Sequence, residues 1–334
     1  MNIAVLGAGN WGTTVSLLLH SNGHRVGIWE FNEALAAEMI RARENTTYLK
    51  GYPIPGDVLI SSNIDEIVKG ADIVVFVTPS TFMRDTARAV GSSGVLKRDA
   101  ALVSLSKGLE FETLLTMTGV IAAEIPGNPT VALSGPCIAT EVARGMPTTI
   151  VSGSKDSGAA HMIQDAFMAP KFRVYTSDDP VGVQFGGALK NIIAIAAGIG
   201  DGLGFGTNAK SAVITRGIVE MTRFGVMLGA KPETFNGLSG IGDLITTCVS
   251  EHSRNRRVGE ELAGGLTLKD ILKKMIMIAE GVPTTKAVYE YSGKHKIEMP
   301  ITEQVYSVLY KGMPAEKTVS ELMSRGQKRE HNPH

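Results

Sequence analysis

Two lysines, an aspartate and an arginine-rich turn are the residues of this chain best suited to chemistry. Lys190 lies in Gly186-Gly187-Ala188-Leu189-Lys190-Asn191-Ile192-Ile193-Ala194, a helical pattern built almost wholly of apolar or small residues. A lysine there either snorkels its ammonium to solvent or is buried for a reason. Burial and a nearby cation each lower a lysine pKa from its ordinary ~10.4 towards acid–base work at neutral pH. Lys107, in Ser106-Lys107-Gly108, follows a strand pattern; it is a candidate for polarising a carbonyl, or an ordinary surface lysine. Asp243, in Gly240-Ile241-Gly242-Asp243-Leu244, has three readings: a partner for such a lysine, a ligand for substrate hydroxyls, or a helix cap. Ser253-Arg254-Asn255-Arg256-Arg257 puts three cations in the first turn of a helix that Ser253 can cap, where the macrodipole disfavours them. A bound anion would offset that conflict, and phosphate suits N–H groups with a guanidinium fork. An interdomain salt bridge and a nucleic-acid patch are the other readings. The second is disfavoured by balanced charge (Lys+Arg 33, Asp+Glu 33) and by the lack of interleaved aromatics.

A glycine loop points to a cofactor. Gly7-Ala8-Gly9-Asn10-Trp11-Gly12 follows a strand pattern and opens a helical one, and that context is what makes a GxGxxG match informative. Gly7 permits a tight turn, Gly9 lets backbone N–H groups approach a pyrophosphate, and Gly12 allows close helix–strand packing. The plain alternative is a glycine-rich turn with no ligand. Glu30 ends the second strand, 18 residues past Gly12, where an acid accepts hydrogen bonds from both ribose hydroxyls. It would repel a 2′-phosphate, and Phe31-Asn32 offer no cation, so the pattern favours NAD over NADP unless Glu30 is simply a solvated surface residue. Ser134-Gly135-Pro136-Cys137 follows a further strand and starts a helix, so its N–H groups are candidates to line a substrate pocket.

The elements that must position these residues fall into two patterns. Ile3–Leu6, Arg25–Trp29, Ile73–Val77, Ala101–Leu105 and Val131–Leu133 read as buried strands, with Thr149–Val151 and Phe172–Tyr175 at the edge. Helical stretches separate them at Trp11–Ser21, Glu33–Arg43, Ser80–Val90 and Glu112–Glu124, which predicts a parallel sheet covered on both faces by right-handed crossovers. From Pro180 onward only helical periodicity persists. The expected fold class is therefore α/β: a doubly wound Rossmann-type dinucleotide-binding domain over 1–180, an all-helical substrate and catalytic domain over 181–325, and a polar, frayed tail over 326–334. The cleft between the domains is the default site.

Composition bounds the class. The 334 residues, 43% hydrophobic and 20% charged, suit two folded domains rather than disorder. Two cysteines, Cys137 and Cys248, make no disulfide framework, and the seven histidines have no metal-ligand spacing, so no metal is expected. The N-terminus lacks a basic n-region, and the longest strongly apolar stretch, about Ile192–Ile199, falls short of the ~20 residues that span a bilayer. A cytoplasmic enzyme with no membrane insertion and no nucleic-acid partner is the expectation.

With these residues assembled, the chain resembles the bacterial NAD(P)-dependent glycerol-3-phosphate dehydrogenases from residue 1 to about 325. The resemblance rests on Gly7-x-Gly9-x-Trp11-Gly12-Thr13, Ser106-Lys107-Gly108-Leu109-Glu110, Ser134-Gly135-Pro136, Gly187-Ala188-Leu189-Lys190-Asn191, Asn208–Arg216, Gly242-Asp243-Leu244, His252-Ser253-Arg254-Asn255 and Glu280-Gly281. It implies reversible hydride transfer between NAD(P)H and dihydroxyacetone phosphate, giving sn-glycerol 3-phosphate for phospholipid synthesis, by a homodimer. It implies Lys190 as proton donor and acceptor, with Lys107 touching both substrate and cofactor. Substrate contacts fall at Gly135, Cys137, Lys190, Asp243, Ser253, Arg254 and Asn255. Cofactor contacts fall at Asn10, Trp11, Phe31, Asn32, Lys107, Ala139, Arg254, Ile278 and Glu280. Three departures stand out: Asn10 replaces a usual Ser, Cys137-Ile138 a usual Ser/Thr and aromatic, and Glu30-Phe31-Asn32 a segment that often carries His or Arg. Two rival functions share the plan: a non-catalytic NAD-binding sensor, and a dehydrogenase for a different hydroxy or keto acid.

Overall fold

The computed structural model describes residues 1–275, 277–327 and 329–330. Ten strands are β1 (Asn2–Leu6), β2 (Arg25–Trp29), β3 (Glu44–Asn45), β4 (Leu49–Pro53), β5 (Leu59–Ser61), β6 (Ile73–Phe76), β7 (Ala101–Ser104), β8 (Thr130–Ser134), β9 (Thr148–Gly153) and β10 (Phe172–Ser177). Eight of them form one sheet in the order β10-β9-β8-β7-β6-β1-β2-β5, while β3 and β4 make a separate hairpin. The chain starts at β1, winds outward through β2 to β5, then crosses back to β6 on the other side of β1. That reversal creates the crevice at the carboxyl ends of β1 and β6 where ligands of open α/β sheets bind. Residues of β1 and β6 are buried on both faces: Ile3, Val5, Ile73 and Val75 pack on one side, Ala4, Leu6, Val74 and Phe76 on the other. Burial on both faces is why these strands read as continuous apolar runs.

The expected parallel sheet needs one correction: β9 runs antiparallel to β8, and β10 then pairs parallel with β9. The cause lies in the connection. After β8 the chain makes only the five-residue helix α6 (Ala139–Ala143), about 7.5 Å long against about 16 Å for a five-residue strand. So short a helix does not carry the chain back to the start of the sheet, and β9 returns directly. The other helices of this half are α1 (Asn10–Ser21), α2 (Glu33–Ala42), α3 (Ile64–Val68), α4 (Met83–Ser92), α5 (Met117–Glu124) and α7 (Ser157–Phe167). The helix expected from Glu112 begins only at Met117, because Leu114 takes φ 57° and Leu109 bridges Thr116.

Past Ser177 no described residue is in a strand. Eight α-helices follow among the described residues: α8 (Pro180–Gly202), α9 (Thr207–Met227), α10 (Asp243–Val249), α11 (Arg254–Ala263), α12 (Leu268–Lys274), α13 (Gly281–His295), α14 (Pro300–Lys311) and α15 (Ala315–Met323). Asp179 starts α8 by accepting from the Gly182 N–H at 3.0 Å, ahead of Pro180 in the first turn. Helix α8 is the hub of this half, packed against α9, α10, α11, α13 and α14. By length and mean hydropathy (23 residues, 1.3) it is apolar enough to cross a membrane, contrary to the short stretch read from sequence. Its most apolar window is 94% buried inside the protein, so its composition reflects a core position. A Cβ at Gly198 would fall 1.9 Å from the Arg256 carbonyl oxygen, and one at Gly259 2.1 Å from that of Ile195. These two glycines let α8 and α11 approach backbone to backbone and so set where Arg254 begins its helix. Of the polar tail, Lys328 and 331–334 lie outside the described residues.

Candidate active site

The glycine loop sits at the crevice the topology creates. Gly7 takes φ +113°, and a Cβ on Gly12 would lie 1.8 Å from the Gly7 carbonyl oxygen, so turn and helix close only with glycine at both positions. Gly9 differs: a Cβ there would meet nothing within 4 Å. It precedes α1, whose N-terminus has no side-chain cap, so no side chain occupies the first N–H groups of that helix. Five buried side-chain polar atoms lack a partner among the described residues, and Asn10 Oδ1, Thr78 Oγ1 and Ser134 Oγ lie just past β1, just past β6 and at the end of β8. Orphaned polar atoms gathered at the carboxyl edge are what a polar ligand would satisfy. The residues present therefore fit a dinucleotide.

At the end of β2, Glu30 is half-buried and accepts from the Asn32 N–H at 2.9 Å. Burial raises its pKa, while the Asn32 and Ala8 N–H groups oppose that rise. Phe31 is 80% exposed and meets Trp29 edge to face, and the Asn32 side chain caps α2. Neither arginine near this segment reaches Glu30 by any hydrogen bond or ion pair. Arg43 donates to the carbonyls of Ile54, Pro55 and Val58, and Arg41 lies in the last turn of α2. Ala139 opens α6, and its carbonyl accepts from Thr14 of α1 at 3.4 Å, which keeps it beside the loop. Trp11 packs against the sheet-face core.

Asp243 joins the two lysines. It opens α10 directly after a π-helical turn over Leu238–Gly242, a distortion frequent at functional sites. Its Oδ1 accepts from Lys190 Nζ, and its Oδ2 from Lys107 Nζ at 2.7 Å. Of its three readings the lysine pairing holds; Gly242, not Asp243, precedes the helix. Lys190 does not snorkel: it is 5% exposed, and its ammonium also donates to Thr247 Oγ1 at 2.8 Å. Lys107 Nζ donates to the Gly135 carbonyl at 2.9 Å and Cys137 Sγ at 3.4 Å besides Asp243. An ammonium has three N–H donors. Lys107 has all three engaged, one of them only to a sulfur, whereas Lys190 has two engaged and one to spare. Burial lowers the Lys190 pKa to about 8, aided by the Lys107 charge and resisted by Asp243. For Lys107 burial acts downward too, but the Asp243 carboxylate and the Cys137 sulfur outweigh it and the net shift is upward.

Among the described residues the three arginines of this turn differ in their partners. Ser253 caps α11 by accepting from the Arg256 N–H at 3.2 Å. Arg256 pairs with Asp201 and Glu260, and Arg257 with Glu261, so acids within the helical half account for both. Arg254 makes no ion pair among the described residues, though the Glu280 charge acts on it at longer range, and it donates from Nη1 to the Ile278 carbonyl at 2.7 Å. Other side chains expected at the site are committed within the protein. Asn255 donates to Asn191 Oδ1 and accepts from the Gly281 N–H, both at 2.9 Å, so its amide ties α8 to the start of α13. Glu280 accepts from the Ser80 N–H at 2.9 Å and from its hydroxyl, bridging the helical half to the loop after β6.

Thr247, Asn191 and Ser80 escaped the sequence reading. Thr247 had a signal, since it follows Asp243 by one helical turn and shares its face. The other two meet their partners only through the tertiary fold.

The chain matches two family models: the NAD-dependent glycerol-3-phosphate dehydrogenase N-terminus over residues 2–160 and the C-terminus over 179–320. It is 47% identical over 335 residues to a glycerol-3-phosphate dehydrogenase (NAD(P)+) of Chlorobium luteolum, covering 99% of this chain and 100% of the relative. The corresponding protein of Moorella thermoacetica is 48% identical, covering 97% and 96%. Among solved structures, glycerol-3-phosphate dehydrogenase from Coxiella burnetii superposes with a TM-score of 0.93 at 36% identity, covering 97% of this chain and 98% of that one. Similarity of this extent, spanning both halves, means that the chain belongs to the NAD-dependent glycerol-3-phosphate dehydrogenase family.

Proposed function

We propose that the protein reversibly reduces dihydroxyacetone phosphate to sn-glycerol 3-phosphate with NAD(P)H, preferring NADH, and that this product feeds glycerophospholipid synthesis. The observation that carries the reading is the unequal engagement of the two lysines around Asp243. The chemistry a nicotinamide supplies when bound at the glycine loop is the hydride. Lys190 uses its spare N–H to protonate the ketone oxygen during reduction, and takes the proton back during oxidation, with a pKa of about 8 suited to both. Lys107 turns its weakest bond, the one to Cys137, towards the developing alkoxide and stabilises it electrostatically. Asp243 holds both ammonium groups in register, and Thr247 fixes the rotamer of Lys190. Arg254 and the N–H groups at the start of α11 hold the substrate phosphate, so that a small, mobile molecule is pinned at its far end. The reading assigns no metal.

The domain boundary belongs near residue 180, between the last strand and α8. A cytoplasmic homodimer is proposed on the family resemblance. The test is NADH oxidation with dihydroxyacetone phosphate against dihydroxyacetone. The expected result is turnover of the phosphorylated ketone with kcat/KM higher by at least about tenfold, the worth of one charge-assisted phosphate contact. NADH binding without turnover of either ketone would point to a sensor, and equal use of both would remove the phosphate site.

A further inference from the structure

The hairpin of β3 and β4 was not read from the sequence, and the last residue of β3 carries a fully buried side chain that touches the glycine loop. Asn45 is 0% exposed. Its amide nitrogen donates to the Ala8 carbonyl at 2.6 Å and to Thr13 Oγ1 at 2.8 Å, while its amide oxygen accepts from the Tyr48 N–H at 3.0 Å. The Thr13 hydroxyl in turn donates to the same Ala8 carbonyl at 3.3 Å. Two side-chain donors thus hold the one carbonyl between Gly7 and Gly9, in a loop that glycine otherwise leaves free to rotate.

We infer that Asn45 is a positioning residue for the dinucleotide, because it sets the peptide plane from which the glycine loop presents an N–H to the phosphates. A trans peptide is planar, and its C=O and N–H point in opposite directions. Anchoring the Ala8 carbonyl inward on Asn45 and Thr13 therefore turns the Gly9 N–H outward. Gly9 itself stands at open space, where a Cβ would meet nothing within 4 Å. Asn45 spends both its donors on this loop and its acceptor on its own hairpin, so the hairpin braces the cofactor loop from behind. A rotated Ala8–Gly9 peptide would present a carbonyl oxygen to the phosphates in place of a donor. The inference rests on seating the dinucleotide phosphates at the glycine loop, and Gly9→Val tests that premise separately, because its Cβ enters space with no protein atom within 4 Å.

The experiment uses the full chain and NADH, with the dissociation constant read by fluorescence titration beside steady-state kinetics. Asn45→Ala is expected to raise the NADH dissociation constant at least fivefold. kcat at saturating NADH and KM for dihydroxyacetone phosphate should stay within twofold. Thr13→Val, which removes the second donor to the carbonyl, should raise the same constant at least threefold, and it decides the matter alone if Asn45→Ala does not fold. A lowered Tm with an unchanged NADH constant, or a parallel loss in kcat and both KM values, would overturn the inference and leave Asn45 a structural residue. If Gly9→Val also leaves NADH binding unchanged, the glycine-loop seating itself is wrong.

Discussion

Lys190 and Asp243 meet where α8 and α10 touch, the ammonium of one donating to Oδ1 of the other, both almost wholly buried. A buried lysine with a carboxylate partner would ordinarily stay charged, but this carboxylate is shared with Lys107. One negative charge therefore serves two positive ones, and burial takes Lys190 down to about 8.

The pH dependence follows. Ketone reduction needs Lys190 protonated, so kcat/KM for dihydroxyacetone phosphate should fall as pH rises through about 8. Alcohol oxidation needs the neutral amine and should rise over the same window. Asp243→Asn removes the group that holds the Lys190 pKa up, so both midpoints should move to lower pH, by about one unit or more. Midpoints unchanged in the variant would separate Lys190 from the titrating group.

Arg254→Ala should weaken dihydroxyacetone phosphate while leaving stability nearly intact, because among the described residues the guanidinium donates only to the Ile278 carbonyl. Losing a charge-assisted phosphate contact costs about 1.5–3 kcal/mol, roughly 10- to 150-fold in kcat/KM. The small activity with dihydroxyacetone should not change. A loss shared equally by both ketones would argue against a phosphate anchor.

The enzyme should use NADH at least about tenfold better than NADPH in kcat/KM. Glu30 places a carboxylate at the end of β2, Arg43 is spent on three carbonyls, and a 2′-phosphate seated there would meet like charge. Glu30→Ala should narrow the ratio by weakening NADH and relieving NADPH. Wild-type enzyme that prefers NADPH would show that a cation from elsewhere reaches this position.

The sequence was informative where one local pattern carried one local consequence. The glycine loop, the apolar strands, the Ser253 cap and the oddity of a lysine among small residues could all be read from neighbours in the chain. The reversed β9 was not legible, because it depends on how far a five-residue helix travels. Asp243 was left among three roles for a similar reason: its partners lie 53 and 136 positions away in sequence. The three arginines looked alike in sequence, and only distant acids such as Asp201 separated Arg256 from Arg254. The bonds by which Asn255 and Glu280 link α11 to α13 and α13 to the loop after β6 were not legible either, because each spans distant parts of the chain.

The central claim is that Lys190 moves the proton, and single-turnover reduction of dihydroxyacetone phosphate by Lys190→Ala tests it most directly, with NADH binding measured on the same sample. Its ammonium hydrogen-bonds Asp243 and Thr247 on α10, in the helical half rather than at the glycine loop. The account predicts a rate lower by about 10²–10⁴-fold, with the NADH dissociation constant within twofold of wild type. A variant that binds NADH normally and keeps most of its rate would contradict it.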